Sequence, residues 1–264
     1  MMKLKAYAKI NLTLEILGTK RNDGFHDIKS VMHKVTSLYD EVTLEKAPDG
    51  EITLNCDADV CAPHENLAYR AAKAYLDGYE KCTGKSFGVH IELAKKIPSG
   101  AGLAGGSADC AAVLRGLFSM FGGLETRELF NIALCLGSDV PFCLSDYTCA
   151  LCEGRGEIMT ELKPLPKCSV EIEKPSGSLS TKGIYGEYDL LYGEDYSKCA
   201  SDDMARALYE GDLEKVCSLC RNDFEPICIK RLSEIREIKD KMYARGALVS
   251  QMSGSGSAVF GIFR

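Results

Sequence analysis

The sequence lacks any apolar run near the ~20 residues that a membrane-spanning helix needs, so no membrane partner is expected. It also lacks an excess of positive charge. Lys and Arg number 32 against 38 Asp and Glu, and a net charge of -6 gives no electrostatic reason to expect nucleic acid. The opening "MMKLKAYAKINLTLEIL" has no apolar block of the signal-peptide kind, so a cytoplasmic protein is expected. Internal repeats and low-complexity tracts are missing too. Cysteine is plentiful, at 13, but the number is odd and nothing directs the chain to an oxidising compartment, which argues against a disulfide framework. Two CxxC pairs occur, Cys149 with Cys152 and Cys217 with Cys220. They lie much further apart than the ~15–20 residues of a zinc ribbon, and the four histidines sit near neither pair in sequence. Small buried hydrophobes are the better reading than metal ligands.

What is present is a chain of 264 residues, enough for one large domain or two small ones. From Leu4 to Ile16 apolar and polar residues alternate, which predicts a strand with one buried face. Leu4, Ala6, Ala8, Ile10, Leu12, Leu14 and Ile16 would face inward, and Lys5, Tyr7, Lys9, Asn11, Thr13 and Glu15 outward. "KRNDG" is expected to turn the chain. Strands are expected at "DEVTLEKA", "EITLNCD", "FGVHIELAKKI", "YTCALCEG" and "CSVEIEK", and helices at "ENLAYRAAKAYLDGY" and "TRELFNIALCLG". The last hundred residues read as mainly helical, closing in two short strands around "MSGSGS". Strands and helices without regular βα alternation predict an α+β fold. Proline and charge gather between Glu157 and Pro175, so a boundary is placed there, giving domains 1–157 and 158–264.

The stretch "PSGAGLAGGSADCAAVLRGLF", Pro98 to Phe118, runs from glycine and serine straight into an alanine-rich helix expected to start near Ser107. A glycine cluster is costly in backbone entropy unless something must approach the backbone closely. The unpaired amides and positive dipole of a helix start are ready to receive an anion, so a phosphate loop is a better reading than a linker. Gly105 is expected at a positive φ. "GYEKCTGKS" has five residues where a Walker A needs four, and it follows a helix, so it reads as a surface turn. Gly100, Gly102 and Gly105 make a GxGxxG, but "KKIPS" intervenes after a strand that is only half apolar, unlike a dinucleotide fold. Protein-kinase motifs are absent as well.

Proline, a small-residue turn and Gly-Leu-x-Gly-Gly-Ser opening such a helix resemble the ATP loop of the GHMP kinase superfamily. "AKINLTL" (Ala8–Leu14) resembles its amino-terminal motif, and "MSGSGSAVFGIF" (Met252–Phe263) its carboxy-terminal glycine loop. Within the superfamily, "AKINLTLEILGTKRNDGFHDIKSVM" and "LGSDVPFCL" resemble the branch that phosphorylates the 2-hydroxyl of a cytidine-diphosphate-linked polyol in the non-mevalonate isoprenoid pathway. The motifs follow the family order from Lys5 to Phe263, although the chain is somewhat short in its second half. The resemblance implies a two-domain fold, ribosomal-protein-S5-like and then ferredoxin-like, with an ATP-binding catalytic domain followed by a substrate-binding one. It implies ATP and Mg²⁺ as cofactors and a small-molecule acceptor.

The residues implied are specific. Lys9 and Asp139 match the catalytic pair, Asp139 taking the proton of the acceptor hydroxyl. Pro98, Gly100, Gly102, Leu103, Ala104, Gly105, Gly106 and Ser107 match the phosphate loop, with Ser107 a donor or a help in placing Mg²⁺. Asn66 and Lys95 match the adenine side. Asn11, Phe25, His26, Thr181 and Tyr185 match the acceptor side, where two aromatics would sandwich the cytosine. Phe25 stands where the family usually has tyrosine, and Tyr185 where it usually has phenylalanine. By residue pattern alone, Lys9 reads as one of several solvated strand lysines, Asp139 reads equally well as a cap of the next turn and as a catalytic residue, and Asn66 either caps or extends a helix start. On the same basis His26 is a turn residue and Tyr185 a helix-surface aromatic. Other readings are a sister GHMP kinase acting on homoserine, mevalonate or a sugar, and a nucleotide-binding regulator without catalysis.

Overall fold

Two long strands open the chain in the computed structural model, which describes residues 1–18, 24–58, 61–192 and 200–264. Strand β1 is Met2–Leu17 and β2 is Asp27–Ala47. Of the expected "KRNDG" turn only Gly24 is described; Lys20 to Asp23 lie outside the described residues. The chain divides into two compact units. The first comprises Met1–Ala8, Val35–Ser99 and Ala104–Asp146, and the second Lys9–Lys34, Gly100–Leu103 and Tyr147–Arg264.

In the first unit, Glu41–Ala47 of β2 pairs antiparallel with β4 (Gly88–Ala94), and β4 pairs parallel with β3 (Ile52–Cys56). Four helices complete it: α1 (Leu67–Thr83), α2 (Gly105–Phe121), α3 (Thr126–Leu136) and α4 (Val140–Leu144). The small faces of α1 (Ala68, Ala71, Ala72) and α2 (Ala108, Ala111, Ala112) belong to one core with Val42, Leu44, Val89 and Ile91 of the sheet. Alanines let the two helices pack closely. At Gly116 a Cβ would lie 2.4 Å from Leu44 Cδ1, so α2 meets the sheet where only glycine fits. The near-Walker segment is the end of α1, with Gly84 as its left-handed C-cap.

In the second unit, Asp27–Lys34 of β2 borders β5 (Cys149–Gly154), which forms a hairpin with β6 (Ile158–Leu162). β1 pairs parallel with the short β8 (Arg221–Asn222) at Thr13 and Leu14. A second sheet sets β10 (Val259–Phe263) between β7 (Ser169–Glu173) and β9 (Val249–Met252). Helices α5 (Thr181–Tyr192), α6 (Ala200–Glu210), α7 (Leu213–Leu219), α8 (Glu225–Arg231) and α9 (Glu234–Ala244) follow the expected helical second half. The strands β6 and β8 are not apparent from the sequence pattern, because both are short and mostly exposed or polar.

Two expectations need correction. The polar face of β1 is solvated only at its start, where Lys5 is exposed and Tyr7 half-buried: every residue from Ala8 to Ile16 is buried, so that part of the strand is covered on both sides. Alternation reports polarity, and polarity matches exposure only where no other polar group comes to meet it. The second concerns His33, which sits directly across from Cys149 in the β2–β5 register, so one histidine does neighbour a CxxC cysteine. No group of three metal-ligating side chains forms there or elsewhere among the described residues.

Candidate active site

The glycine stretch alternates in backbone hand. Gly100, Gly102 and Ala104 have φ of +61°, +74° and +57°, and Ala104 is the only non-glycine residue with positive φ among the described residues. A side chain costs roughly 1–2 kcal/mol in that conformation. At Gly102 a Cβ would lie 2.1 Å from the Ser253 carbonyl oxygen, so glycine is required there for space as well as for φ. Ala104 is the N-cap of α2 without a side-chain capping bond, and its carbonyl already accepts from the Ala108 amide at 2.8 Å. The helix therefore begins at Gly105, two residues before the expected start, and Gly105 itself is not at positive φ. The amides of Gly105, Gly106 and Ser107 precede the first closed turn and face outward with the helix dipole behind them.

Other residues of the first unit gather at this helix start. Lys95 Nζ lies 3.6 Å from where a Gly105 Cβ would stand, and a Gly137 Cβ would stand 3.9 Å from Ser107 Oγ. The second distance brings the Gly137–Asp139 turn beside the phosphate loop, and α4 packs on α2. Asp139 occupies the N-cap position of α4 but makes no capping bond with its side chain, so the capping reading does not describe it. Asn66 does cap: its Oδ1 accepts from the Ala68 amide at 2.9 Å. Lys95 is held between two buried carboxylates, Asp40 and Asp109, at 2.5 Å from each. Asp40 also accepts from the Lys96 and Ile97 amides. The other Asp109 oxygen is buried without a hydrogen-bond partner, and burial pushes this carboxyl above the usual carboxylate range.

The second unit presents side chains. Lys9 is 3% exposed, and its ammonium donates to Asn11 Oδ1 at 2.7 Å and to the Gly102 carbonyl at 3.0 Å. Asn11 Nδ2 donates to Ser30 Oγ, which donates to the Thr13 carbonyl. Thr13 Oγ1 meets Ser201 Oγ at 2.8 Å, and Glu15 accepts the Ala200 and Ser201 amides at the start of α6. A buried polar row of this kind is tolerable only because each member is bonded to the next. The solvated-lysine reading of Lys9 is thereby excluded.

The loop is fastened from the same side. The Lys9 amide donates to the Leu103 carbonyl, the Ala258 amide to Ala101, and Ser253 Oγ to Gly102. Asn222 holds the carboxy-terminal loop through the Met252 and Gly254 carbonyls. Thr181 Oγ1 and Ser255 Oγ lie 2.7 Å apart. Pro98 is half-buried just ahead of the loop.

The expected base-binding residues are arranged unequally. His26 is 6% exposed, and Tyr185 packs on its ring with centroids 5.1 Å apart and planes 31° apart. Tyr185 in turn meets Phe224 edge-on. His26 Nε2 lies 2.7 Å from Asp189 Oδ1. Phe25 is 43% exposed, with the Arg155 guanidinium 3.6 Å over its ring. Sequence reasoning missed Asp189, although it lies one helical turn beyond Tyr185 on α5 and so shares its face. Ser30, Ser201, Asn222 and Arg155 were missed because their partners are remote in sequence.

The chain is similar to known proteins over nearly its whole length. Residues 66–147 match the model of the GHMP kinases N terminal domain, and residues 204–264 that of the GHMP kinases C terminal. A 4-diphosphocytidyl-2-C-methyl-D-erythritol kinase of Caldicellulosiruptor saccharolyticus is 42% identical over 99% of this chain and 88% of its own. One of Clostridium botulinum is 40% identical over 99% and 91%. A crystal structure of 4-(cytidine 5'-diphospho)-2C-methyl-D-erythritol kinase superposes with a TM-score of 0.80 at 33% identity, over 99% of this chain and 90% of that one. Homoserine kinase from Cytophaga hutchinsonii, at 19% identity and a TM-score of 0.74, shares the fold. Among the described residues no helix is long and apolar enough to cross a membrane. Full-length likeness at this level assigns the α+β GHMP kinase fold and ATP-dependent phosphotransfer together: the chain belongs to the 4-diphosphocytidyl-2-C-methyl-D-erythritol kinase family.

Proposed function

We propose that this chain transfers the γ-phosphoryl group of ATP to the 2-hydroxyl of 4-diphosphocytidyl-2-C-methyl-D-erythritol. The observation that supports the reading is Lys9: it is 3% exposed, with its ammonium on Asn11 and on the Gly102 carbonyl of the glycine loop, which suits a role in chemistry better than one in solubility. Phosphoryl transfer asks mainly for positioning and charge stabilisation. The amides of Gly105, Gly106 and Ser107 would receive phosphate oxygens, while Gly100, Gly102, Leu103, Ala104 and Pro98 shape the approach. Asn66 and Lys95 serve the adenine side, the Lys95 charge being balanced by Asp40 and Asp109. Asp139 accepts the proton of the attacking hydroxyl as its oxygen bonds to the γ-phosphorus, and ADP leaves with the bridging oxygen. Lys9 offsets the charge of the ionised carboxylate and of the moving phosphoryl group.

Mg²⁺ would neutralise the phosphate charge during transfer. The described residues form no closed cage of three acidic, His or Cys ligands, which suits an ion held mostly by phosphate and water, with the Ser107 hydroxyl as a candidate ligand. Asn11 and Thr181 orient the acceptor, and Tyr185 and His26 with Phe25 receive its base. In this division residues 1–157 carry ATP binding and catalysis, and 158–264 complete the acceptor site.

The test is an ADP-release assay with this acceptor against homoserine and mevalonate. Turnover is expected with the cytidine compound alone, and turnover of another alcohol in its place would overturn the reading. Tyr185→Ala is expected to raise the acceptor KM by roughly ten- to a hundredfold, since base–aromatic stacking is worth ~1–3 kcal/mol. The KM for ATP is expected to stay near the parent value.

A further inference from the structure

Asp189 is not among the residues to which the family resemblance gives a role, yet its carboxylate is the hydrogen-bond partner of His26. The pair is asymmetric: the His26 side chain is 4% exposed and that of Asp189 40%. Tyr185 and Asp189 stand four residues apart on α5, so one face of the helix packs a ring on His26 and sets an acceptor at its edge. An ionised carboxylate only accepts, so the atom it meets, Nε2, must carry the proton. A neutral imidazole protonated on Nε2 has a lone pair on Nδ1. Nδ1 makes no hydrogen bond among the described residues, so it is the ring nitrogen left to meet an incoming group.

We propose that Asp189 is a positioning residue that determines base specificity: by holding the His26 proton on Nε2 it keeps Nδ1 as an acceptor for an exocyclic amine. Cytosine presents an amine at C4 and uracil a carbonyl. An acceptor facing the amine gains a hydrogen bond, whereas an acceptor facing a carbonyl sets two lone pairs against each other. A site built to satisfy one polar pattern rejects the other because its own group is left unpaired. This rests on the reading above that His26 meets the base.

The first measurement needs no substitution. Nitrogen-15 NMR of the imidazoles at pH 8, with the His26 signals identified by their loss in His26→Ala, is expected to show the Nε2–H tautomer. Asp189→Leu removes the acceptor at a half-open position; it is expected to mix the tautomers. It should also reduce the ratio of kcat/KM for the cytidine acceptor over its uridine counterpart by about tenfold, the size of one neutral hydrogen bond. Asp189→Glu, which keeps a carboxylate, is expected to restore the tautomer at least in part. A parent His26 protonated on Nδ1 would overturn the proposal. So would an Asp189→Leu protein that keeps the parent ratio while His26→Ala loses it, and that outcome leaves His26 as a base contact. If His26→Ala itself keeps the ratio, the base contact fails and the role of Asp189 falls with it.

Discussion

The start of α2 and the polar face of β1 handle polar chemistry in opposite ways. At the start of α2 the chain withdraws its side chains: the N-cap is an alanine, the first two helical residues are glycines, and no capping side chain competes for the amides. Along β1 it does the reverse, burying Lys9, Asn11, Thr13 and Glu15 and bonding each to a neighbour. Amides need only be left uncovered, so that region is sensitive to what is added. Buried side chains need their partners, so the strand is sensitive to what is removed.

The largest effect expected is on turnover, and it tests whether chemistry belongs to side chains. Asp139→Asn keeps the shape and removes the base, so kcat is expected to fall by about 10²–10⁴ with ATP affinity nearly intact. Near-parent kcat in the ADP-release assay would take the proton-acceptor role from Asp139. Next is an addition to the backbone region. Gly102→Ala puts a methyl against the Ser253 carbonyl at a positive φ, and thermal or urea unfolding should show a loss of roughly 1–3 kcal/mol. Unchanged stability would mean that the loop yields easily at this point.

Gly105→Val sharpens the contrast. A Cβ there would sit 3.0 Å from Ile97 Cγ2 and, with its methyls, would crowd the first amides. The expected result is a roughly tenfold weaker Kd for ATP, about 1.4 kcal/mol, with the fold retained by circular dichroism. Parent-like affinity by titration calorimetry would move the phosphate site elsewhere.

The smallest effect is a slope. Burial pushes Asp109 up to about 7, so the folded chain holds a proton that the unfolded chain loses near pH 4. Between those values the folded state binds more protons, and the contribution of Asp109 to stability declines as pH rises. Asp109→Asn is expected to flatten that decline in urea unfolding between pH 4.5 and 7.5. An unaltered slope would show that the Lys95 charge already compensates this carboxylate.

Local order was legible to different depths in the two regions. The phosphate loop could be read because glycine, alanine and serine in sequence act on their own neighbourhood. The exact start of α2 could not, since it depends on Ala104 adopting the left-handed conformation, which a residue other than glycine rarely takes. On β1 the strand was legible and its environment was not. The second face is covered by Ser30 and Ser201, and no local pattern reveals that a hydroxyl 188 positions away will meet Thr13. The acceptor side divides similarly: Phe25, His26 and Tyr185 carry a family pattern, whereas Asp189 and Arg155 join them only through packing.

By itself the sequence determined the strand period, the glycine-to-helix loop, the α+β class and the kinase family, because each is written in residues close together along the chain. Tertiary structure alone decided that Lys9 is buried and bonded, that the Asn66 side chain caps α1 while that of Asp139 makes no capping bond to α4, and that His26 has a carboxylate on one nitrogen. Local propensity acts over a few residues, whereas burial and hydrogen-bond partnership depend on which distant segment arrives to displace water.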